Sequence, residues 1–310
     1  MSRPPILFSI PSYEPLQEAL ITALGAERGE VHRALFPDGE RYQRLECSVQ
    51  DRDVIIVGGT IDDTATLTLY DLACAASKLG ARRLSLVVPY FGYSTMERAT
   101  RAGEVVTAKT RARLLSAIPP ASYGNDILLL DLHSEGIPHY FESGVTARHL
   151  YGKSLLIPVM KTLGGDDFVL GSTDSGRAKW VESLANEREV DVALILQRRL
   201  SGTETRVTAL NAEVTGRNVV IYDDMIRSGG SLVGAAETYR DAGAAGIVAV
   251  CTHGVFTPGA FERLQASGLF TAIVATDSHP RAIALASKGL QVVPTAPLFA
   301  EHLRPYPFAG

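Results

Sequence analysis

Short apolar runs rich in Val, Ile and Leu alternate along this chain with longer stretches in which apolar and polar residues mix. The short runs are typical of strands covered on both faces, and mixed stretches such as 13–24 and 61–79 have the spacing of amphipathic helices. Strands that alternate with helices predict parallel sheets flanked by helices. A similar order recurs in the second half, although the sequence itself does not repeat. The pattern therefore predicts an α/β chain of two doubly wound domains, residues 1–148 and 149–310.

One stretch combines this pattern with candidate chemistry. The apolar run Val219–Ile221 predicts a buried strand, and Asp223 and Asp224 lie at its end. Ser228-Gly229-Gly230-Ser231 then leads into a helix that is predicted to begin near Leu232. Ligands bind at the carboxyl edge of parallel strands, and a loop of small residues at a helix N-terminus suits a phosphate. The stretch indicates a phosphorylated-sugar site, although an ordinary strand–turn–helix connection with two capping acids is the alternative.

Three other segments place polar residues at the ends of predicted elements. His133 closes the predicted strand 126–133, where it is a candidate metal ligand or acid–base group, or a histidine bonded within its own loop. Phe36-Pro37-Asp38-Gly39-Glu40 is an acidic turn that is equally typical of a solvated hairpin. The segment 91–104 is a long polar loop, and such loops are often functional.

Composition limits the class of protein. A chain of 310 residues is long enough for two domains, and a net charge of −4 makes no case for nucleic-acid binding. The three cysteines, Cys47, Cys74 and Cys251, lie far apart in apolar segments and are expected to be buried free thiols. No apolar run is long enough for a membrane span and no leader is visible, so we expect a cytoplasmic protein.

Segments spread over nearly the full length resemble those of the ribose-phosphate diphosphokinase family, whose two domains have the type I phosphoribosyltransferase fold. The stretch 218–231 is similar to the phosphoribosyl-diphosphate loop of that superfamily. The other matching segments are Phe36–Glu40, Val87–Tyr93, Thr107–Lys109, Asp131–His133, Ser172–Asp174, Thr252–Phe256 and Thr276–Ser278. Each segment is short, but their order and spacing together are specific to the family.

The resemblance implies a Mg²⁺-dependent transfer of a diphosphoryl group from ATP to the C1 hydroxyl of ribose 5-phosphate, with release of AMP. The implied catalytic residues are His133, Arg199, Asp223 and Asp224, and the implied holders of a Mg²⁺–ATP complex are His133 and Asp174. The implied contacts of the ribose phosphate are Arg199, Asp223, Asp224, Arg227, Ser228, Gly229, Gly230 and Ser231. The implied contacts of ATP are Phe36, Asp38, Gly39, Glu40, Thr95 and Met96, with Asp38 and Glu40 supplied by a neighbouring subunit.

The chain departs from the family pattern at three places. Gln197 stands where the family has a catalytic Lys, and it is followed by Arg198 and Arg199. Thr95-Met96-Glu97 replaces an Arg-Gln-Asp that holds ATP, and Arg227 replaces an Asp in the phosphate loop. The last change shifts the local charge by two units toward positive.

These departures leave three hypotheses. The first is a diphosphokinase that acts on ribose 5-phosphate. The second is a diphosphokinase with a larger 5-substituted ribose such as ADP-ribose as acceptor, because an Arg beside the phosphate site suits a diphosphate. The third is a catalytically weak homologue that regulates an active synthetase, which Gln197 favours and the retained His133, Asp174, Asp223 and Asp224 oppose. The family also implies a homo-oligomer, usually a hexamer built from dimers.

Overall fold

The computed structural model describes residues 3–142, 144–173, 190–199, 205–210 and 212–304. The chain divides into two compact units. One unit consists of Met1–Tyr151 together with Thr295–Gly310, and the other is Gly152–Pro294.

The first half of the chain contains eight strands and three α-helices among its described residues. The strands are β1 (Ile6–Ser9), β2 (Glu27–Arg28), β3 (Val31–Leu35), β4 (Arg41–Leu45), β5 (Asp53–Val57), β6 (Arg83–Val88), β7 (Asn125–Leu130) and β8 (Val145–Leu150). The helices are α1 (Glu14–Leu24), α2 (Asp63–Lys78) and α3 (Thr107–Ser116).

The described part of the second half adds eight strands and five α-helices. The strands are β9 (Val169–Ser172), β10 (Val192–Ala193), β11 (Ile195–Arg199), β12 (Thr205–Leu210), β13 (Asn218–Ile226), β14 (Gly246–Gly254), β15 (Ala272–Thr276) and β16 (Gln291–Val293). The helices are α4 (Lys153–Gly164), α5 (Gly230–Asp241), α6 (Ala260–Ala266), α7 (Pro280–Leu285) and α8 (Ala296–Leu303).

The two units have the same sheet topology. The first contains a six-stranded parallel sheet in the order β2-β1-β5-β6-β7-β8, and the second contains one in the order β10-β9-β13-β14-β15-β16. Each unit also contains a separate antiparallel hairpin. The hairpin β3–β4 comes directly before β5 in the chain, and the hairpin β11–β12 comes directly before β13. The predicted α/β fold with parallel sheets is confirmed.

Strand β13 shows why the central strands are continuously apolar. Alternate side chains of a strand point to opposite faces of the sheet. Val219 and Ile221 belong to the core that includes residues of α5, α6 and α7, whereas Val220 and Tyr222 pack with residues of α4 on the other face. Both faces of β13 are therefore dry, and its carboxyl end is the part that reaches solvent-accessible loops.

The chain returns to the first unit at its last described helix. Helix α8 packs against α1, and Arg304, just after α8, donates a hydrogen bond to the carbonyl oxygen of Ala23 at 3.3 Å. Arg148 in β8 donates to the carbonyl oxygen of His302 at 3.4 Å. The compact units therefore differ from the linear division at residue 148 expected from sequence, because residues 295–304 pack on the first unit.

Some local expectations also differ from the structure. β8 was not anticipated, because Val145–Leu150 is a mixed, half-exposed edge strand without a clear apolar pattern. Gln197, Arg198 and Arg199 lie within β11, which pairs with β12 as a hairpin. β7 ends at Leu130, so His133 lies in the loop after the strand and not within it. No described helix has the length and apolar character that a membrane span requires.

Candidate active site

The acid pair lies inside the last part of β13, because the strand extends to Ile226 and not only to the acids as predicted. Asp223 is half-buried and Asp224 is 4% exposed. The backbone N–H of Asp224 donates to Oδ1 of Asp223 at 2.9 Å, and the hydroxyl of Thr173 donates to Oδ2 at 3.1 Å. Two donors from two neighbouring strand ends therefore orient the Asp223 carboxylate before any ligand binds.

Cys251 lies opposite Asp223 in the pairing of β13 with β14. Burial raises the pKa of the Cys251 thiol well above its usual value, and the neighbouring Asp223 and Asp224 raise it further. The thiol is therefore neutral at physiological pH and acts as a small apolar side chain behind the acid pair. The expectation of buried free thiols is confirmed for Cys251, whereas Cys47 and Cys74 are free but only half-buried.

The loop after β13 ends in the N-terminus of α5. Gly229 is buried at φ +81° and is the residue that precedes the helix, where no side chain caps the first turn. Ser228, Gly230 and Ser231 are exposed, and so is Arg227. A helix N-terminus with uncapped N–H groups attracts anions, because its backbone dipoles place partial positive charge there. Helix α5 starts at Gly230, earlier than the predicted Leu232, so the small residues themselves form its first turn.

His133 lies in a loop whose shape is held by β8. Asp131, buried to 4% exposure, has φ +36°, and its N–H donates to the carbonyl oxygen of Leu150 at 2.9 Å. The N–H of Leu132 donates to Nε2 of His149 at 2.8 Å. The residue next to His133 is thus fixed by a histidine that sequence analysis did not select. No local pattern marks His149, because its role depends on pairing between β7 and β8.

The protonation of His149 is set by its burial. Desolvation lowers the pKa of His149, although Glu135, whose carboxylate lies 3.3 Å from Nδ1, acts in the opposite direction. A neutral ring is required for Nε2 to accept the Leu132 N–H. Tyr151 donates to the same Glu135 carboxylate at 2.7 Å, and burial raises the pKa of Tyr151 to about 12.

The acidic turn Phe36–Glu40 forms the tip of the β3–β4 hairpin, as its alternative interpretation predicted. The N–H of Glu40 donates to Oδ1 of Asp38 at 3.1 Å, and Gly39 has φ +93°. All five turn residues are exposed. Three apolar side chains of this hairpin are also exposed: Leu35 at 69%, Phe36 at 46% and Tyr42 at 37%. The tip therefore presents an acid pair beside apolar surface.

Thr95 and Met96 are exposed in the segment between β6 and α3. The segment is attached near both candidates: Gly92 N–H donates to the hydroxyl of Thr60 at 2.7 Å, and the hydroxyl of Tyr140 donates to the carbonyl oxygen of Glu97 at 2.6 Å. Thr95 and Met96 lie between these two attachments and face solvent.

Two of the selected residues fall where the structure gives no side-chain description. Asp174 lies outside the described residues, and Arg199 is described only by its backbone at the end of β11. Among the described residues, no three His, Cys, Asp or Glu side chains are grouped as a metal centre. The structure brings together Asp223, Asp224 and the loop 227–231 in the second unit, and it places His133, the hairpin tip, Thr95 and Met96 in the first.

The stability of the fold is expected to depend on the protonation of His279, which lies at the start of α7, near the carboxyl end of β15. Its Nδ1 accepts the N–H of Arg281 at 3.2 Å, and burial, with the nearby His253 and Arg281, lowers its pKa to about 4. The unfolded chain, with a pKa near 6.5, binds the proton more readily. The contribution of the neutral His279 ring to the free energy of unfolding is therefore fully present above about pH 6.5 and decreases as the pH falls toward 4.

We expect the free energy of unfolding of the wild type to decrease over this range more than that of His279→Asn. Asn caps a helix as well but binds no proton. Urea denaturation at about pH 7 and about pH 4.5 measures the difference. An equal loss in both proteins would show that His279 does not titrate in this way.

The sequence matches two family models. One describes the N-terminal domain of ribose phosphate pyrophosphokinase and covers residues 5–118, and the other describes a phosphoribosyl synthetase-associated domain and covers residues 172–306. Together they include β1 through α3 and β10 through α8.

Relatives and a solved structure agree with these matches. The chain is 33% identical over 302 residues to a ribose-phosphate pyrophosphokinase of Parasynechococcus marenigrum, which covers 96% of this chain and 89% of the relative. It is 31% identical to the enzyme of the same name from Ralstonia nicotianae, over 92% of this chain and 90% of the relative. The crystal structure of phosphoribosylpyrophosphate synthetase from Mycobacterium smegmatis is similar with a TM-score of 0.84 and 25% identity, over 97% of both chains.

Proposed function

The chain belongs to the ribose-phosphate pyrophosphokinase family, a family of transferases in nucleotide biosynthesis, and from this premise we propose its reaction. It transfers a diphosphoryl group from ATP to the C1 hydroxyl of ribose 5-phosphate and releases AMP. The observation that carries the proposal is the arrangement on β13 and α5, where the oriented carboxylate of Asp223 and the adjacent Asp224 precede an uncapped helix N-terminus.

The acid pair and the loop bind different parts of the ribosyl substrate. The N–H groups at the start of α5 and the hydroxyls of Ser228 and Ser231 suit the dianionic 5-phosphate, which also interacts favourably with the helix dipole. The carboxylates of Asp223 and Asp224 accept hydrogen bonds from the ribose hydroxyls, since an ionised carboxylate has only acceptors. Arg199, in the hairpin that precedes β13 in the chain, is assigned to the substrate phosphates.

ATP is assigned to the exposed tip of the β3–β4 hairpin and to the segment before α3. Asp38 and Glu40 suit the amino edge of adenine, and Phe36 supplies an aromatic face. Because this tip is exposed and apolar around its acids, we assign these contacts to a neighbouring copy of the chain, which makes the active form a homo-oligomer. Thr95 and Met96 contribute the remaining contacts from the exposed part of their segment.

Of the two residues assigned to the Mg²⁺–ATP complex, Asp174 offers the oxygen donors that magnesium prefers, whereas His133 offers a ring nitrogen. Mg²⁺ takes oxygen ligands and is commonly held by one or two carboxylates together with substrate phosphates. We assign its binding to Asp174 and His133 with the nucleotide, and when bound it neutralises the charge of the polyphosphate. The protein residues then orient the acceptor: Asp223 and Asp224 hold the ribose ring so that the C1 hydroxyl lies in line with the transferred group.

The experiment that tests the reaction measures AMP release with ribose 5-phosphate and, in parallel, with ADP-ribose. We expect efficient turnover of ribose 5-phosphate. Preferred use of ADP-ribose would favour the larger acceptor. AMP release with neither acceptor would overturn the enzymatic assignment and favour a regulatory homologue.

The variant Arg227→Asp sharpens the choice of acceptor. Arg227 is exposed beside the loop, and a guanidinium that contacts a distal phosphate contributes about 1.5–3 kcal/mol. If the acceptor carried a 5-diphosphate, Arg227→Asp would weaken its use by about one to two orders of magnitude. We expect the variant to retain the use of ribose 5-phosphate, because the family pattern has an acid at this position. Arg240→Asp, at the far end of α5, is the control for the same change of charge. Equal loss of both acceptors would indicate that Arg227 only supports the loop.

A further inference from the structure

A buried aromatic residue next to the phosphate loop has an unfavourable backbone conformation. Phe256, in the loop between β14 and α6, has φ +36° and is 1% exposed. Positive φ is rare for bulky side chains, because the Cβ atom then approaches the backbone carbonyl oxygen. Such a conformation persists only where surrounding contacts compensate for it, and it occurs preferentially at functional sites.

The strained backbone directs two N–H groups at the phosphate loop. The N–H of Phe256 donates to the carbonyl oxygen of Ile226 at 2.9 Å, and the N–H of Thr257 donates to that of Arg227, also at 2.9 Å. A trans peptide is planar, and its C=O and N–H point in opposite directions. Fixing these two carbonyls therefore fixes the directions of the N–H groups of Arg227 and Ser228, at the start of the loop assigned to the 5-phosphate.

Packing of the ring compensates for the strain. The Phe256 ring lies 5.5 Å from that of Phe261 at 75°, a favourable edge-to-face arrangement in the core of the second unit. The ring has its place only because residue 254 is glycine: a Cβ on Gly254 would lie 2.7 Å from the Phe256 ring and 2.8 Å from Cβ of Ala275. These contacts belong to β14, β15 and α6, and none of them involves the phosphate loop itself.

Helix α6, which contains Phe261, also contacts the phosphate loop. A Cβ on Gly229 would lie 2.9 Å from Cδ2 of Leu264, so α6 touches the backbone of the loop directly. The start of α6 follows Phe256 within a few residues, and Ala260 N–H donates to the carbonyl oxygen of Thr257 at 2.8 Å. The position of Phe256 therefore couples the packing of α6 to the shape of the loop.

We propose that Phe256 is a positioning residue for the ribosyl-phosphate loop. Its buried ring holds residue 256 at positive φ, and this conformation places the two N–H groups that orient the peptides of Arg227 and Ser228. The inference rests on the proposed function of the loop in binding the 5-phosphate. Without the ring, a residue with a Cβ relaxes toward negative φ, the two hydrogen bonds are lost, and the loop no longer presents its N–H groups to a phosphate.

The variants Phe256→Ala and Phe256→Gly separate this role from simple packing. Both remove the ring and leave the same space in the core, so both lower the thermal stability. Glycine tolerates positive φ without cost, whereas alanine does not. We expect Phe256→Ala to raise the KM for ribose 5-phosphate about tenfold or more, and Phe256→Gly to stay within about threefold of the wild type. The KM for ATP is expected to change less than about twofold in both variants.

Two further measurements keep the test independent of turnover. Amide hydrogen exchange in residues 226–231 is expected to be faster in Phe256→Ala than in Phe256→Gly, and inorganic phosphate is expected to slow it less in Phe256→Ala. If the wild type releases no AMP, the proposed function fails while exchange still decides the inference. If Phe256→Ala does not fold, Phe261→Leu, which loosens the ring and leaves residue 256 unchanged, is expected to increase the exchange of residues 226–231. Equal KM values and equal exchange in Phe256→Ala and Phe256→Gly, or unchanged exchange in Phe261→Leu, would overturn the proposal.

Discussion

Asp224→Asn is expected to reduce kcat/KM for ribose 5-phosphate by about a hundredfold, which corresponds to about 2.7 kcal/mol. Asp224 is 4% exposed at the carboxyl end of β13, next to an Asp223 whose two oxygens already accept protein hydrogen bonds. Asp224 is the more deeply buried of the two acids assigned to the ribose hydroxyls, so the role of the pair is tested at this residue. An amide of the same shape offers one acceptor atom and two donor hydrogens in place of two acceptor atoms, and a hydrogen bond to a charged group contributes about 1.5–3 kcal/mol.

The measurement is a steady-state assay with varied ribose 5-phosphate, accompanied by a thermal melt. Asp241→Asn is the matched control, because it replaces the same carboxylate by the same amide at the exposed end of α5, where Asp241 pairs with Arg240. We expect the control to keep its kcat/KM within about twofold, since exposed ion pairs contribute little. If Asp224→Asn were as active as the control, the acid pair would not orient the ribose. The stretch 218–231 would then be an ordinary strand–turn–helix connection without a role in ligand binding.

His133→Ala is expected to reduce Mg²⁺-dependent turnover about a thousandfold while the fold remains intact. His133 is half-buried in its loop. The preceding residues of that loop are held by β8: the N–H of Asp131, which has φ +36°, donates to Leu150, and the N–H of Leu132 donates to His149. Because these neighbouring residues anchor the loop, we expect the fold to tolerate loss of the His133 ring and the nucleotide complex to be affected. Losses of about 10²–10⁴ are typical for residues that handle protons or charge in the transition state.

Turnover is measured as a function of Mg²⁺ at saturating ATP and ribose 5-phosphate, because a residue that holds the Mg²⁺–ATP complex also changes the Mg²⁺ dependence. His139→Ala is the control: His139 is exposed in the short 3₁₀ turn Ile137–Tyr140 that follows the same loop. Turnover and Mg²⁺ dependence equal to those of the control would show that His133 is a loop histidine without a role in the reaction.

Local patterns were sufficient for the elements with a strong apolar period. The mixed stretch 13–24 that predicted a helix contains α1, and the stretch 61–79 contains α2. The edge strand Val145–Leu150 could not be predicted in this way, because half of an edge strand faces solvent and its residues are mixed. The return of α8 to the first unit was also beyond local pattern, since it depends on packing against α1 at the opposite end of the chain.

The candidate site divides in the same manner. The acid pair and the loop of small residues were recognisable because strand, acids, glycines and helix follow one another within fourteen positions of sequence, 218–231. His149 was not recognisable, because its contact with Leu132 exists only when β7 and β8 are neighbours. The assignments of Asp174 to the metal and of Arg199 to the phosphates stay predictions.

The sequence by itself determined the family, the two α/β halves and the order of chemical groups along β13 and α5, since these depend on residue types at short and regular spacing. The tertiary structure decided how those groups are held. Thr173, the residue after β9, reaches Asp223 across fifty positions, and Phe256 reaches Ile226 across thirty positions with a backbone angle that no residue preference predicts. Such contacts arise from the packing of whole elements, in which burial of one ring compensates for the strain that positions a neighbouring loop.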